Sequence, residues 1–541
     1  MSQSQPFGFS CKGGLNTNLS EIEMLRQPGI ATELRNFEVD PDGGYRRVSG
    51  FTDYGGDDTA RPNASNDILG IKVYADGVIV CSGTNIYFSN DGETWIQLNK
   101  ASVASSGDNL TALNGRSVAA RTAQGQSSIA LFEGSKSIYG EIIICDGANK
   151  PFYFYMTGAG ALSTRTFFVA DITVNSTDAP SIATIHNNFL VVAGQSAAPN
   201  IVRNSRILEM NDFTGTGSNE VLLADRVVGL KSFRGDCIVF CRNSIYKFVN
   251  MEDADNAAIV PITKNVGCVD GNSIQEIGGD LVFLSPDGVR TLAGTSRIGD
   301  VELASVSRNV QRLISNIVDN INVLTISSVV LRSKSQYRLY YNDPSVAAPF
   351  SRGIIGTFTG QGFEWSETLG IEAIAVDSGF LANGLEAIVH GDTDGYVYNH
   401  DKGITFRHGG AAANIDALYE TPYLDFGDMG TRKTLQYAKI SVTPDRESGG
   451  FSDPTLKVQY DFQDVNVQQP PIYQLPTIRA GSSFGTAFFN AAYFGSTDNP
   501  LIRQPIEGSC YTSNFKIASN DQEASYTING IYINYVPAGR R

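Results

Sequence analysis

The sequence predicts an all-β protein, a β-propeller of six or seven blades followed by a β-sandwich-like C-terminal domain. Three observations predict it. First, short apolar runs alternate with Gly/Asp/Asn turns: within residues 68–98, three β-rich runs are separated by A75-D-G77, S82-G-T-N85 and S89-N-D-G92, at hairpin spacing. Second, similar apolar cores return at I142-I-I-C145, F189-L-V-V192, C237-I-V-F240, L281-V-F-L284, Y337-R-L-Y-Y341 and A387-I-V-H390. Their centres lie roughly 45 to 65 residues apart, close to the length of a four-stranded propeller blade. Third, after about residue 405 the strands lengthen and alternate, as in L435-Q-Y-A-K-I-S-V442 and Y526-T-I-N-G-I-Y-I-N-Y535.

Each element can be justified in chain order. Residues 1–60 read as an N-terminal segment joining the propeller, 61–405 as the propeller and 406–541 as the sandwich-like domain. Within the first segment, D40-P-D-G-G44 is a turn and Y45-R-R-V-S-G-F51 the following strand. Side chains alternate faces along a strand, so Arg46 and Arg47 point to opposite sides. Either one pairs with acids of this subunit while the other faces a neighbour, or both are solvated surface residues.

In the propeller, G235-D-C-I-V-F-C-R-N-S-I-Y-K-F248 and G279-D-L-V-F-L-S-P-D-G-V-R-T-L292 share one plan: Gly-Asp, an apolar run, a turn and an outgoing strand. One segment breaks the β pattern. Val310, Leu313, Ile314, Ile317 and Ile321 fall on one helical face, with Ser307 placed as N-cap, which predicts either an amphipathic connector packed on the propeller or a partner-docking helix. Residues 480–495, rich in Gly, Ala and aromatics, form a long loop that either seals subunit contacts or converges as an apolar gate.

Composition narrows the function. The 541 residues carry 41 Lys plus Arg against 56 Asp plus Glu, a formal net charge of −15. That argues against a duplex-clamping protein, because such binding needs clustered cations to displace counterions. Seven cysteines without a CxxC fit reduced thiols. Cys237 and Cys241, four positions apart on a strand, stand roughly 13 Å from each other, too far for a disulfide. The amino terminus lacks the basic and apolar regions of a secretory signal, and no apolar run approaches the length of a spanning helix, so no membrane anchor is expected.

Motifs for chemistry are weak. F88-S-N-D-G-E-T-W95 resembles the Asp-box turn of sialidase-like propellers, with Phe88 at the usual Ser position and Asn90 at the usual Asp position. An Asp-box stabilises a hairpin turn, so even a full match is structural. G481-S-S-F-G485 satisfies GxSxG without the strand and helix that a nucleophile elbow requires. H390-G-D-T-D-G-Y-V-Y-N-H-D401 gathers two of the four histidines with three aspartates, but lacks the later ligands of a calcium loop and reads as a hairpin turn of the last blade. His186 and His408 stand alone. No catalytic residue, cofactor site or metal site is expected.

The order of several segments resembles the tail nozzle, or packaged-DNA stabilisation, proteins of short-tailed bacteriophages. The resembling pieces are C11-K-G-G-L-N-T17, L34-R-N-F-E-V-D-P-D-G-G-Y-R-R-V-S-G-F51, I143-I-C-D-G-A-N-K-P-F-Y-F154, D394-G-Y-V-Y-N-H-D-K-G403, L418-Y-E-T-P-Y-L-D-F-G427 and I528-N-G-I-Y-I-N-Y-V-P-A-G-R-R541. Family-motif or assembly residues are then Gly13, Gly14, Asn36, Asp40, Gly43, Gly44, Tyr45, Arg46, Arg47, Asp394, Gly395, Gly539, Arg540 and Arg541.

The resemblance implies a structural protein of the virion tail, assembled in the host cytoplasm. It implies a homohexameric ring below the portal and adaptor, with tail fibre or tip proteins as further partners. Genomic double-stranded DNA would pass without sequence-specific binding, and the resemblance brings no catalytic residues. A conduit should hold phosphate weakly, so part of the negative charge is expected to line the ring's channel. A receptor- or glycan-binding tail propeller is the alternative, and a propeller glycoside hydrolase the third.

Overall fold

The computed structural model describes residues 3–540 except 57–59, 65, 100–112, 115–120, 123–124, 134–135, 159, 176–178, 254, 294–304, 347–349, 361, 446–450, 477 and 480–500. The 480–495 loop, the 481–485 GxSxG match and Arg541 therefore lie outside the described residues.

Six sheets of four or more strands form propeller blades, and a short three-stranded sheet stands between the fourth and fifth. Their innermost strands, in order, are Ile68–Tyr74, Ser128–Phe132, Ile182–His186, Val227–Phe233, Gln275–Ile277 of the short sheet, Thr325–Leu331 and Ala375–Phe380. Each apolar core picked out in the sequence is the second strand of its sheet: Glu141–Cys145, Phe189–Ala193, Asp236–Cys241, Asp280–Ser285, Gln336–Asn342 and Glu386–Gly391. A second strand has partners on both edges and a blade on each face, so period-two alternation gives way to continuous burial. Glu141–Cys145 and Phe189–Ala193 are buried throughout, and each such Ile, Leu, Val or Phe contributes about 1.5–3 kcal/mol.

The last blade is closed by the start of the chain. Thr52–Asp53 pairs antiparallel with Val397–Asn399, Asp53 opposite Tyr398 and Thr52 opposite Asn399. This closure ties the ends of the propeller together and leaves no gap between first and last blade.

The remaining strands build two further sheets from both ends of the chain. In one, Phe37–Val39, Tyr45–Arg47, Tyr526–Arg540, Thr431–Pro444 and Leu501–Pro505 lie side by side, with Gln5–Ser10 also on the Tyr526–Arg540 strand. In the other, the fifth blade's last strand, Gly362–Leu369, continues through Glu33–Arg35, Ile415–Glu420, Ser513–Asp521 and Thr455–Tyr460 to Ile472–Gln474. One apolar core spans both, including Phe37, Tyr45, Trp365, Tyr419, Leu456 and Ile533. Thus residues 5–47 share these sheets, while 52–53 belong to the propeller.

The connector helix is shorter than its periodicity suggests. A 3-10 turn at Arg308–Val310 leads into an α-helix at Gln311–Asp319, which buries Ile314 and Ile317. Ser307 makes no capping bond to the helix. Its Oγ instead accepts the Val289 N–H at 2.9 Å, because the short sheet's outer strand passes closer than the helix's own first turn.

All seven cysteines are free and buried. Burial pushes the thiols of Cys11 and Cys81 up to about 12, so they behave as small apolar side chains.

Candidate functional site

The motif residues of the N-terminal segment converge on the joint between propeller and outer sheets. Tyr45 is buried and its hydroxyl donates to the Gly29 carbonyl at 2.7 Å while accepting the Gly14 N–H at 3.1 Å. The neighbouring Gly13 N–H donates to Glu364 Oε2 at 2.6 Å. Gly14 has φ +65°, and a Cβ there would stand 2.7 Å from the Trp365 backbone, so glycine is demanded both by conformation and by space.

Asn36 is a stitch. It sits at φ +52° with no exposed surface. Its side-chain amide donates to the carbonyls of Leu369 and Asp416, each at 2.9 Å, and its carbonyl oxygen accepts the Leu369 N–H at 2.9 Å. Gly362–Leu369 and Ile415–Glu420 are not adjacent strands, and Asn36 bridges both.

The turn at residues 40–44 forms as expected, the Gly43 N–H bonding the Asp40 carbonyl at 2.9 Å, with Gly43 and Gly44 both in the left-handed region. Beyond it the two arginines do diverge. Arg46 is half-buried and pairs with Asp445 at 2.9 Å. Arg47 is wholly buried: it donates to the carbonyls of Glu523 at 2.9 Å, Asp521 at 2.8 Å and Ile415 at 3.2 Å, and meets the Asp521 carboxylate at 2.7 Å. Both therefore have acidic partners in their own chain.

A buried ionic cluster beside them was not legible in the sequence. Arg338 Nη2 donates to Glu38 Oε2 at 2.8 Å and Asp401 Oδ1 at 3.1 Å, while Lys334 Nζ lies 2.7 Å from each of the same two carboxylates. Glu38 comes from the N-terminal hairpin, Arg338 from the fifth blade and Asp401 from the end of the sixth. Burial would raise the Asp401 carboxyl, yet Arg338 and Lys334 hold it below its ordinary range. Alternation along Phe37–Val39 turns Glu38 away from the core that takes Phe37 and Val39, and only the fold shows that this second face is buried too.

The histidines of the 390–401 segment close this cluster. Arg338 Nη1 stands 3.0 Å from His400 Nε2, and His400 Nδ1 3.1 Å from His390 Nδ1. A guanidinium can only donate, so His400 Nε2 accepts and its Nδ1–H faces His390. Burial lowers His390 to about 3, and burial, with His390 and Arg338 adding to it, holds His400 well below its ordinary value, so the neutral form is favoured in both rings.

Asp392 shapes the hairpin turn, accepting the N–H groups of Asp394 and Tyr396 and the Tyr398 hydroxyl. Burial raises its carboxyl to about 7. Gly395, at φ +85°, lets the turn approach Asn63, and the Asp394 carbonyl accepts Arg61 at 2.9 Å. The segment is thus a turn, and no group of metal-ligating side chains occurs among the described residues. At the far end, Gly539 has φ +105° and Arg540 ends the long C-terminal strand.

The Asp-box-like turn needs a correction. Ser89 and Asp91, rather than Phe88 and Asn90, occupy the working positions. Ser89 Oγ accepts the Gly92 N–H at 2.8 Å, Asp91 Oδ1 accepts those of Glu93 and Thr94, and Trp95 Nε1 donates to the Gly92 carbonyl at 3.0 Å. Phe88 points into the blade core. The side-chain alternation of the Asn85–Ser89 strand decides this, and a fixed motif alignment misses it. His186 is likewise structural, its Nδ1 2.9 Å from Ser232 Oγ.

This architecture defines a propeller-type protein. No family model and no curated protein matches the chain. Among solved structures it is similar to the extracellular domain of a candidate hybrid two-component system of B. thetaiotaomicron (9% identity, TM-score 0.33, covering 65% of this chain). A second structure of that extracellular domain, described as a one-component system, matches at 11% identity and TM-score 0.34 over 74% of this chain. PorZ, a surface component of the type-IX secretion system of Porphyromonas gingivalis, matches at 12% and 0.33 over 63%. The chain spans 39, 44 and 39% of the length of those chains, and likenesses this distant carry no functional argument.

Proposed function

We propose that the protein is a structural subunit of the tail nozzle of a short-tailed bacteriophage, forming a homohexameric ring below the portal and adaptor that retains packaged DNA and conducts it during ejection. The observation that supports this reading is the convergence of Gly13, Gly14, Asn36, Tyr45 and Arg47, which carry the family resemblance, on the joint between propeller and outer sheets. Those residues belong to segments shared in order along the chain, and they build the part of the fold that unites its two ends.

In this reading the protein is not an enzyme and needs no cofactor. Its location is the virion tail, and tail fibre or tip proteins are further partners. The surplus of acid, multiplied by ring symmetry, lines the channel and keeps the duplex from adhering.

Native mass spectrometry of the purified chain, alone and mixed with portal–adaptor complexes, tests the proposal. Addition of about six copies to the complex is the expected result. A chain that stays monomeric and ignores the complex would overturn it, as would an assembled ring with a basic lumen.

A further inference from the structure

The propeller axis carries a charge opposite to that of the chain. A cavity of about 460 Å³ lies among the innermost strands of all seven sheets, and a second recess of about 400 Å³ continues from it past Gln126 and Asn272. Such volumes fall within the range of small-molecule sites, roughly 300 to 1,000 Å³. The charged side chains lining the two are Lys72, Lys231, Arg226 and Arg242 against Asp377 and Asp270. In a protein of net charge −15 this is a local excess of cations, and a low-dielectric recess focuses that field on small anions.

Of the two lysines lining the first cavity, Lys231 is the one without an acid. Lys72 has its own acid, Asp377, at 2.8 Å, and the other oxygen of Asp377 accepts the Val73 N–H at 2.9 Å. Lys231 makes no hydrogen bond or ion pair among the described residues. Burial and the neighbouring Lys72 both lower its pKa, while Asp377 and Glu276 oppose them. Lys231 is half-buried on the cavity wall, and an anion in the cavity would give its ammonium the partner the chain does not supply. On the sheets either side of Lys231, Thr184 and Gln275 also line the cavity; the Gln275 amide nitrogen donates to the Ser328 carbonyl at 2.8 Å, while Thr184 Oγ1 and Gln275 Oε1 have no hydrogen-bond partner among the described residues. Gly70 and Gly271 keep the wall close to bare backbone.

We propose that the propeller axis is a binding site for a small hydroxylated carboxylic acid, its carboxylate held by Lys231 and its hydroxyls by Thr184 and Gln275. The site lies inside one subunit and is independent of ring formation. Arg226 and Arg242, exposed on the rim of the second recess, draw the anion inward. The cavity's polar lining suits a ligand that keeps several hydroxyl groups, because each hydroxyl displaced from water finds a partner there.

The test uses the full chain with D-glucuronate as probe and D-glucose and sulfate, at matched ionic strength, as controls. Lys231 acylation by an amine-reactive ester is followed by peptide mass spectrometry, with exposed Lys457 as internal reference. D-Glucuronate is expected to slow labelling of Lys231 about tenfold, as loss of a charged hydrogen-bonding partner would imply, and to leave Lys457 and the controls unchanged. Calorimetry of the Lys231→Met chain, whose melting temperature shows whether it is folded, should then show a loss of D-glucuronate affinity of about tenfold or more. Labelling unaffected by D-glucuronate, equal protection by sulfate, or equal affinity in the folded Lys231→Met chain would each overturn the proposal.

Discussion

Asn36 and Leu369 exchange two hydrogen bonds, the side-chain amide of one meeting both backbone groups of the other at 2.9 Å. A third bond from the same side chain reaches Asp416. Asn36→Ala removes all three from a buried site and places a Cβ residue without side-chain support at φ +52°. The expected cost is about 3 kcal/mol, read as a lower midpoint in urea denaturation. An unchanged midpoint would mean that the surrounding apolar packing alone holds blade to sheet.

The two adjacent arginines should differ sharply. Arg47→Met strips the cationic partner from Asp521 and removes the guanidinium donor from three carbonyls, at a cost of about 3–5 kcal/mol. Arg46→Ala breaks a partly exposed pair and should cost less than about 1 kcal/mol. Paired denaturation curves decide the matter; similar losses for both would refute the assignment of a buried and a surface role.

Acid should loosen the joint through the histidines. His390 titrates near 3 in the fold against 6.5 unfolded, and His400 is also lowered. Stability held by their neutral forms is complete above pH 6.5 and lost as pH falls toward 3, at up to about 1.4 kcal/mol per pH unit for each ring. Asp392, raised to about 7, acts oppositely: its contribution is complete below 3.8 and lost as pH rises through 7. Two rings outweigh one carboxyl, so the melting temperature should fall between pH 6.5 and 4.5. His390→Gln should flatten that slope in fluorimetric melts across pH, and an identical slope in the variant would count against the mechanism.

The first blade offers a local test. Asp91→Ala removes the acceptor for the Glu93 and Thr94 amides and should cost about 1 kcal/mol. Hydrogen exchange should speed at those amides while the Glu141–Cys145 strand of the next blade keeps its protection. Faster exchange throughout the molecule would show that the turn governs more than its own hairpin.

What could be read from the sequence was whatever a strand or turn encodes locally. The apolar runs from 142 to 390 marked second strands because continuous burial writes itself as continuous hydrophobicity, and D40-P-D-G-G44 marked a turn because Asp and Gly meet its backbone demands. Alternation placed Arg46 and Arg47 on opposite faces, but said nothing of which acids awaited them. Ser307 reads as an N-cap in the sequence, but its hydroxyl serves the Val289 amide of a neighbouring strand, which no local pattern encodes.

Tertiary structure alone decided the pairings between distant segments. Thr52–Asp53 closing a blade that ends at Asn399, Glu38 meeting Arg338 and Asp401, and Lys231 left without an acid at the propeller axis all depend on how the ring closes. The physical reason is range: backbone preference and side-chain period act over a few residues, whereas the neighbours of a buried charge are fixed only when the whole chain has found its closure.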